Sequence, residues 1–245
     1  MNYYSSYYER LLDGFASKPR GMPIRYRRNV AFEFYPGNIV RRPGDNVAIG
    51  LMEMLQFIGG VFDIHSFEVC APRARLNLFT PQMAYGPRTV GQFQGVIEEL
   101  HNDPDSRRAE IIIARGNDKP NERPCTIAAQ FQLEHYFDPQ ESYLSSTFYM
   151  RSSDAVWGLP NDIIQFGGVT LAIANCLQVP PQPSAVLIGN AHVYNATTVD
   201  PSTFDVNWTF NLPVFDDWNN YVEWSRDIIS SYPTREELLK IFNVS

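Results

Sequence analysis

Residues 151–163 read RSSDAVWGLPNDI and join two segments with different apolar patterns. The segment before them, Ser142–Arg151, has the composition of a strand, and Asn161–Leu177 has the apolar spacing of an amphipathic helix. Arg151 therefore ends a predicted strand. The three side chains that follow it can all form hydrogen bonds: Ser152, Ser153 and Asp154. A lone arginine at a strand end does not by itself indicate a function. The role of Arg151 therefore has to be inferred together with the other polar stretches of the chain.

Cys125 lies in NERPCTIAAQF, residues 121–131, where a polar loop enters a strand. The loop, Gly116–Pro124, is charged and contains Gly and Pro, and it separates the predicted strands Glu110–Ala114 and Thr126–Glu134. A thiol at such a place can meet a substrate. Free cysteine, however, is among the most buried residue types and often only packs. This stretch alone leaves catalysis and packing both open.

Two adjacent arginines, Arg107 and Arg108, occur in DPDSRRAEIII between a turn signal and an apolar strand. Adjacent arginines in a turn are usually a solvated pair. The functional alternative is phosphate binding, because guanidinium groups form bidentate, charge-assisted hydrogen bonds to phosphate oxygens. The stretch by itself does not separate these interpretations.

The other predicted elements indicate one α+β domain over residues 1–245, with no repeat and no linker. Asp45 and Asn46 can cap a helix over Val47–Ile58 that ends at Gly59-Gly60. The remaining segments are helices at about Thr89–Asn102, Trp218–Ser230 and Thr234–Phe242, and a strand at Ala185–Tyr194.

Composition excludes several classes of function. A net charge of −7 and a pI near 5.1 argue against broad binding to nucleic acid or anionic lipid. No apolar run is long enough to span a bilayer, and residues 1–20 lack a signal peptide, which predicts a cytoplasmic protein. Three cysteines, Cys70, Cys125 and Cys176, have no metal-ligand spacing, so neither a metal site nor a disulfide framework is expected.

The order and spacing of four stretches resemble thymidylate synthases and their nucleotide hydroxymethylase relatives. These stretches are NDPDSRR, PC with QF following, RSSDAVWGLPNDI and HVY, and the likeness runs from about Tyr85-Gly86 to Tyr194. Outside it, Glu53 resembles the family's helix-borne glutamate, and Arg20 its amino-terminal phosphate arginine. Three other arginines compete for the Arg20 role: Arg25, Arg27 and Arg28. The resemblance implies an α+β fold whose large twisted mixed sheet packs at a homodimer interface, with flanking helices.

The resemblance also implies roles for individual residues in a reaction at carbon 5 of a pyrimidine nucleotide. Cys125 corresponds to the nucleophile that adds to carbon 6 and makes carbon 5 reactive. Glu53 corresponds to the carboxylate that organises water and proton transfers, and Tyr85 to a tyrosine of that network. Asp154 corresponds to a residue that seats the base. Positive charge near the thiol is expected to favour the thiolate.

Substrate-binding residues follow from the same likeness. Arg20, Arg151 and Ser152 resemble phosphate ligands of one subunit, whereas Arg107 and Arg108 resemble the pair that the second subunit of a homodimer contributes. The residues that resemble the ligands of the sugar hydroxyl are His192 and Tyr194.

Departures from the synthase pattern point to the phage-type deoxycytidylate hydroxymethylases. Thr126 and Met150 replace the His and Gln that are typical of synthases and match the hydroxymethylases. The tryptophans that stack folate in synthases have no counterpart between Glu53 and Tyr85, and residues 243–245 read Asn-Val-Ser where the resemblance leads us to expect an apolar tail. A looser and wetter folate site favours capture of the one-carbon unit by water over hydride transfer.

Asp162 stands where synthases have the asparagine that reads uracil. A carboxylate there can accept from the exocyclic amine of cytosine and from its ring nitrogen once that nitrogen is protonated. The alternative interpretation is a helix N-cap after Pro160.

The expected activity is therefore transfer of a one-carbon unit from 5,10-methylenetetrahydrofolate to a cytidine monophosphate, dCMP in the first instance, to give the 5-hydroxymethyl nucleotide. The cosubstrate is the folate, and no nucleic acid, membrane or metal takes part. Expected alternatives are a methylating synthase, a hydroxymethylase of dUMP or CMP, and an inactive nucleotide-binding or regulatory homologue. The expected location is the cytoplasm, or the host cytoplasm if the chain is phage-encoded.

Overall fold

A computed structural model describes residues 2–72, 80–135 and 141–245. The helices, in chain order, are α1 Tyr3–Leu12, α2 Ala48–Gly59, α3 Ile64–Cys70, α4 Gly86–Thr89, α5 Gln92–Asn102, α6 Gly158–Leu177, α7 Trp218–Ser230 and α8 Arg235–Ile241. The strands are β1 Phe15–Ser17, β2 Ile24–Phe34, β3 Asn38–Arg41, β4 Glu110–Ile112, β5 Thr126–His135, β6 Ser142–Met150, β7 Ser153–Asp154, β8 Ser184–Tyr194 and β9 Asp205–Thr209.

The strands form one large mixed sheet in the order β1-β2-β8-β6-β5-β4, with β7 also paired to β8. The pairs β6·β8 and β7·β8 are parallel, and the other pairs of this sheet are antiparallel. A parallel pair needs a crossover connection, and α6 supplies it between β6 and β8. The predicted α+β fold with a mixed sheet and flanking helices is confirmed.

One face of the sheet lies in the core under α6. Phe148 of β6 stacks on Phe166 of α6, with ring centroids 3.9 Å apart, and both side chains are fully buried. The opposite face carries a cross-strand row in which Tyr149 pairs with Leu187, and Leu187 pairs with Ala31. Leu187 is 39% exposed, so an apolar strip on this face is open to solvent within one chain.

Helices α2 and α6 approach closely because glycine occurs on both. A Cβ at Gly50 would lie 2.8 Å from Cδ1 of Ile164, and a Cβ at Gly168 would overlap the side chain of Met54. This close packing brings the polar residues of the two helices within reach of each other, which matters for the site.

Several predicted helix boundaries need correction. Asp45 does not cap α2: its carboxylate accepts two hydrogen bonds from the guanidinium of Arg42, at 2.7 and 3.0 Å. Asn46 does accept from the N–H of Ala48, at 3.2 Å. The helix predicted from Thr89 is interrupted at Gly91, which has a φ of 79°, so α5 starts at Gln92.

Sequence patterns missed α1, α3, α4, β1, β2, β3, β7 and β9. The longest of the missed strands, β2, reads IRYRRNVAFEF, and its first half is largely exposed although it lies between β1 and β8. Ile24 and Tyr26 alternate with arginines, but Arg28 and Asn29 interrupt the apolar alternation before it resumes at Val30. Within the described residues, none of the helices has the length and apolar content that crossing a membrane requires.

Candidate active site

Cys125 lies immediately before β5, and among the three cysteines it is the exposed one. Its carbonyl accepts a hydrogen bond from the backbone N–H of Arg151 at 2.9 Å. This bond links the residue before β5 to the residue after β6. The guanidinium of Arg151 donates to the carbonyl oxygens of Pro124 and Arg123, each at 2.9 Å. Two backbone carbonyls therefore fix the arginine next to the thiol.

The electrostatic setting of the thiol differs from the expectation that positive charge would ease its ionisation. Cys125 is accessible to solvent, but many protein atoms surround its sulfur, and the resulting desolvation raises its pKa more than any other effect. Arg151 and Arg20 lower that pKa, as expected, while Asp162 raises it. Within one chain, burial outweighs the two arginines, because the low-dielectric surroundings of the sulfur disfavour the charged form.

Tyr85 and Glu53 approach Cys125 from the helical side. The hydroxyl of Thr126, the residue after Cys125, donates to the Tyr85 hydroxyl at 2.8 Å. Burial raises the pKa of Tyr85 well above its ordinary value, and the charges of Asp162 and Cys125 raise it further. Burial also raises the pKa of Glu53 well above its ordinary value, followed by the charge of Asp162. These residues thus belong to one electrostatic cluster.

Asp162 is buried within α6, with 8% of its surface exposed. Burial raises its pKa to about 7; the Ser153 hydroxyl lowers it, and the charge of Asp154 raises it. The N-cap interpretation is wrong, because α6 already begins at Gly158 and Trp157 is its N-cap. Asp162 is the fifth residue of the helix, where its carboxylate is not needed for capping.

Asp154 and His192 are opposite each other in the parallel pair β7·β8. An oxygen of Asp154 accepts from the backbone N–H of Val156 at 3.0 Å. Burial raises the pKa of Asp154 and lowers the pKa of His192, and the attraction between the two opposes both shifts. The hydroxyl of Ser152 lies 3.3 Å from Nδ1 of His192, whose ring meets that of Tyr194 edge to face at 5.1 Å.

Arg20 lies in a tight turn, with a φ of 49°, close enough for its charge to lower the pKa values of Cys125 and His192. The competing arginines are engaged elsewhere. Arg25 donates to the carbonyl of Gly14, and Arg27 to the carbonyl of Arg10. Arg28, together with Arg27, lines a cavity of about 520 Å³ between α1 and β2.

Arg107 and Arg108 do not join this cluster within one chain. Both are exposed. The carbonyl of Arg107 accepts from the Gln130 side chain, five residues along β5 from Cys125, or roughly 17 Å at the rise of a strand. The guanidinium of Arg108 donates to Glu99 at 3.1 Å.

One residue of the cluster escaped sequence reasoning. The amide of Gln165, which is 4% exposed, donates to Oε2 of Glu53 at 3.1 Å. Gln165 follows Asp162 by three positions, so both lie on one face of α6. That spacing is a sequence signal, although it does not reveal the partner on α2. Within residues 2–72, 80–135 and 141–245, no group of three or more His, Cys, Asp or Glu side chains is arranged to hold a metal ion.

An accessible thiol lies beside a fixed arginine, with buried carboxylates and a histidine around it, and enzymes that use covalent catalysis employ groups of these types. Residues 65–211 match the model of the family described as thymidylate synthase. Since this match covers more than half of the chain, the protein belongs to the thymidylate synthase family.

Curated relatives agree with this assignment. The chain is 32% identical over 114 residues to the bifunctional dihydrofolate reductase-thymidylate synthase of Zea mays, covering 45% of this chain and 20% of that protein. It is 35% identical over 115 residues to the bifunctional dihydrofolate reductase-thymidylate synthase of Plasmodium chabaudi, covering 45% of this chain and 18% of that protein. The alignments thus span about a fifth of the length of these relatives.

Proposed function

We propose that the protein is a deoxycytidylate 5-hydroxymethylase, which converts dCMP, water and 5,10-methylenetetrahydrofolate to 5-hydroxymethyl-dCMP and tetrahydrofolate. The observation that carries the proposal is the buried carboxyl of Asp162, which interacts electrostatically with Cys125, Tyr85 and Glu53. Asp162 occupies the place of the synthase asparagine in the GLP motif. A carboxyl group at the centre of the cluster is suited to read the base.

Base reading follows from hydrogen-bond complementarity. With its pKa raised to about 7, Asp162 is protonated in a large fraction of molecules at neutral pH. The acid can donate to ring nitrogen 3 of cytosine and accept from the exocyclic amine. Thiolate addition at carbon 6 makes nitrogen 3 more basic, so the proton moves to nitrogen 3 and the resulting carboxylate accepts two hydrogen bonds. This contact is strongest in the covalent intermediate, where it accelerates the reaction.

In the proposed reaction, each residue around the thiol has a defined role. The thiolate of Cys125 adds to carbon 6, and carbon 5 then bonds to the one-carbon unit that the folate supplies. Loss of the carbon-5 proton and cleavage of the carbon–nitrogen bond to the folate release tetrahydrofolate and leave an exocyclic methylene. Water adds to this methylene, and the thiolate leaves carbon 6. Glu53, held by Gln165, orders the water and transfers protons, and Tyr85 takes part in the same network. Asp154 helps to seat the base.

The nucleotide's phosphate and sugar are proposed to bind at the strand ends. Arg151, Ser152 and Arg20 bind the phosphate. Its negative charge attracts the guanidinium groups of the two arginines. His192 and Tyr194 bind the sugar hydroxyl, and the edge-to-face packing of their rings keeps both side chains oriented. This division separates binding groups from the groups that act on the ring.

A homodimer would complete the phosphate site. The exposed apolar strip that contains Tyr149 and Leu187 supports the proposal that a second copy packs on this face of the sheet. Arg107 and Arg108 are exposed and stand at the margin of the same sheet, next to β4 and β5. In the dimer they reach the phosphate bound to the other subunit.

The folate is a cosubstrate whose planar rings require a flat surface close to the base. Trp157 is 55% exposed at the start of α6, and the guanidinium of Arg42 lies 4.6 Å from its ring centroid. Arg42 is itself held by an ion pair with Asp45. Its guanidinium therefore packs against one face of the Trp157 indole in a fixed position. Trp157 therefore fits a planar ligand beside Asp154, in a place where water also has access to the site.

A uracil nucleotide is the second candidate substrate, because one observation favours it. The protonated form of Asp162 presents one donor and one acceptor, as an asparagine side chain does. That pattern also complements the N3–H and the carbon-4 carbonyl of uracil. In this case the product is 5-hydroxymethyl-dUMP, or thymidylate if the folate donates a hydride.

One assay tests the proposal and both alternatives. The protein is incubated with 5,10-methylenetetrahydrofolate and with dCMP, CMP, dUMP or UMP, and products are identified by mass spectrometry. A product of dCMP that is heavier by one CH2O unit supports the proposal. A methylated product with spectroscopic formation of dihydrofolate makes the protein a synthase instead. If none of the four nucleotides reacts although dCMP binds, the protein is a nucleotide-binding homologue without activity.

A further inference from the structure

A buried ion pair outside the proposed reaction holds the segment that leads to Cys125. Arg88 of α4 and Asp118 of the following loop form a two-pronged contact: Nη1 donates to one carboxylate oxygen and Nη2 to the other, each at 2.9 Å. The two side chains are only 6% and 7% exposed. The pair is thus an enclosed, geometrically defined contact between the helix and the loop.

The same two residues also form hydrogen bonds with the backbone of the loop. Arg88 donates to the carbonyls of Ile113 at 3.0 Å and of Glu122 at 3.3 Å, so it binds both ends of the segment between β4 and Cys125. Asp118 accepts from the backbone N–H of Arg115 at 2.7 Å. One guanidinium and one carboxylate therefore organise a loop that has no regular secondary structure of its own.

Helix α4 reaches Cys125 from both sides. On one side, Tyr85 at the start of the helix bonds to the hydroxyl of Thr126, the residue that follows Cys125. On the other side, Arg88 holds the carbonyl of Glu122, and the carbonyls of the next two residues are the ones that fix the guanidinium of Arg151. A shift of the loop would therefore move the thiol and Arg151 together.

We propose that Arg88 and Asp118 are a positioning pair, which sets the loop so that the Cys125 thiol and the Arg151 guanidinium face the same bound nucleotide. The inference rests on the proposed function only in taking Cys125 as the nucleophile. Buried ion pairs contribute little net stability, because desolvation offsets their attraction, but they define geometry when both partners are fully hydrogen-bonded. The fork of an arginine is required, since lysine cannot bind a carboxylate and two carbonyls in one plane.

The test compares thiol reactivity with turnover in three variants. Asp118→Asn removes the charge and one acceptor without changing the shape of the side chain, and Arg88→Lys keeps the charge but loses the fork. Glu122→Gln is the matched control, because it removes a charge from the same loop and leaves the backbone carbonyl that Arg88 binds. Iodoacetamide labelling of the free protein is followed by mass spectrometry from pH 6 to 9.5, well below the unfolding temperature of each variant, and turnover of dCMP is measured separately.

Release of the loop removes protein atoms that surround the accessible thiol and misplaces the thiol for attack. The two substitutions in the pair are therefore expected to raise the alkylation rate of Cys125 at pH 7.5 at least fivefold, to shift its pH profile to lower pH, and to lower kcat at least tenfold. Glu122→Gln is expected to change neither quantity by more than twofold. A uniform loss of stability would not raise the alkylation rate of Cys125 while lowering kcat in protein that remains folded.

Unchanged alkylation in both folded variants would overturn the inference, and so would equal changes in Glu122→Gln. If Asp118→Asn does not fold, Arg88→Lys decides; failure of both to fold would make the pair purely structural and would also overturn the inference. Because labelling needs no substrate, it tests the pair even if the wild-type protein converts none of the nucleotides. Failure of the proposed reaction is thus distinguishable from failure of the positioning role.

Discussion

The side-chain amide of Gln165 on α6 donates to the carboxyl of Glu53 on α2, at 3.1 Å, across 112 positions of sequence. Burial and the charge of Asp162 raise the pKa of Glu53 well above its ordinary value. The raised pKa favours the protonated form of the carboxyl, which the Gln165 amide holds in one orientation. The proposed chemistry at carbon 5 uses an oriented proton donor of this kind.

Substitution Glu53→Gln is expected to lower kcat by about two to four orders of magnitude, because an amide of the same shape cannot transfer the proton. The affinity for dCMP, measured by calorimetry, is expected to stay within about threefold, since phosphate and sugar contacts lie elsewhere. Glu98→Gln, on the exposed side of α5, is the control and leaves both quantities unchanged. A large loss of affinity with an unchanged kcat would contradict the proton-transfer role.

Labelling of cysteine is expected at one position only. Burial raises the pKa values of Cys70 and Cys176 to about 12, whereas Cys125 is exposed. The protein atoms around the Cys125 sulfur also raise its pKa, although the residue is exposed. Its alkylation rate is therefore expected to keep rising beyond about pH 8.5, the ordinary pKa of a thiol. Peptide mapping after iodoacetamide treatment checks both points, and Cys125→Ser removes the label together with turnover. Labelling that levels off below pH 7 would mean that the arginines dominate the thiol.

The charge of Asp162 is expected to destabilise the fold as pH rises. Burial, opposed by Ser153 and reinforced by Asp154, raises its pKa to about 7, so the folded state retains a proton that the unfolded state loses near pH 4. The favourable contribution is complete below about pH 4 and is lost progressively as pH rises through about 7. Asp162→Asn should therefore be more stable than wild type by a few kcal/mol above about pH 7 and nearly equal to it near pH 4. Denaturant unfolding at several pH values measures the difference, and a pH-independent difference would refute it.

The same substitution is expected to change the preferred base. An asparagine at position 162 can satisfy uracil fully, but in the covalent intermediate it turns an N–H toward the protonated nitrogen or the amine of cytosine. An unmet buried donor or acceptor costs about 1–3 kcal/mol, which corresponds to a change of about fivefold to 150-fold in relative kcat/KM. Competition between dCMP and dUMP, with products separated by mass, gives this ratio. Loss of stability without a change in the ratio would contradict the base-reading role.

Complementation tests whether arginines cross the subunit interface. A chain with Arg107→Ala and Arg108→Ala is mixed with a Cys125→Ala chain, and heterodimers are isolated by two affinity tags. If the arginines serve the other subunit, one of the two sites in each heterodimer has both the thiol and the arginine pair. Activity near half that of wild type is expected per heterodimer, from two nearly inactive parents. Verified heterodimers without activity would place the pair in its own subunit.

The part of the site that sequence could predict consists of residues close together in the chain. Arg151 through Asp162 form one junction of strand and helix, and the order of strand and helix predicted there is confirmed. Contacts over long separations were out of reach, because nothing in the local pattern around Gln165 specifies Glu53 as its partner.

Errors in the predicted elements have physical causes of the same kind. Asp45 has the right chemistry for a cap, but the guanidinium of Arg42 offers it charged hydrogen bonds, which are stronger than a cap. Strand β2 has an apolar alternation that Arg28 and Asn29 interrupt, and its pairing with β8 over ten positions sets its full length. Tertiary partners thus override local preference at Asp45 and complete a broken local pattern in β2.

The near contact of α2 with α6 at Gly50 and Gly168 has a consequence for engineering. Helices spaced by backbone rather than by long side chains leave little room for adjustment between α2, which carries Glu53, and α6, which carries Asp162. Under the proposed function, substitutions at position 162 are therefore expected to change the hydrogen-bond pattern presented to the base while α2 and α6 keep their spacing. A series of side chains at this one position, made in the unaltered frame, would measure what each hydrogen-bond pattern contributes to base choice.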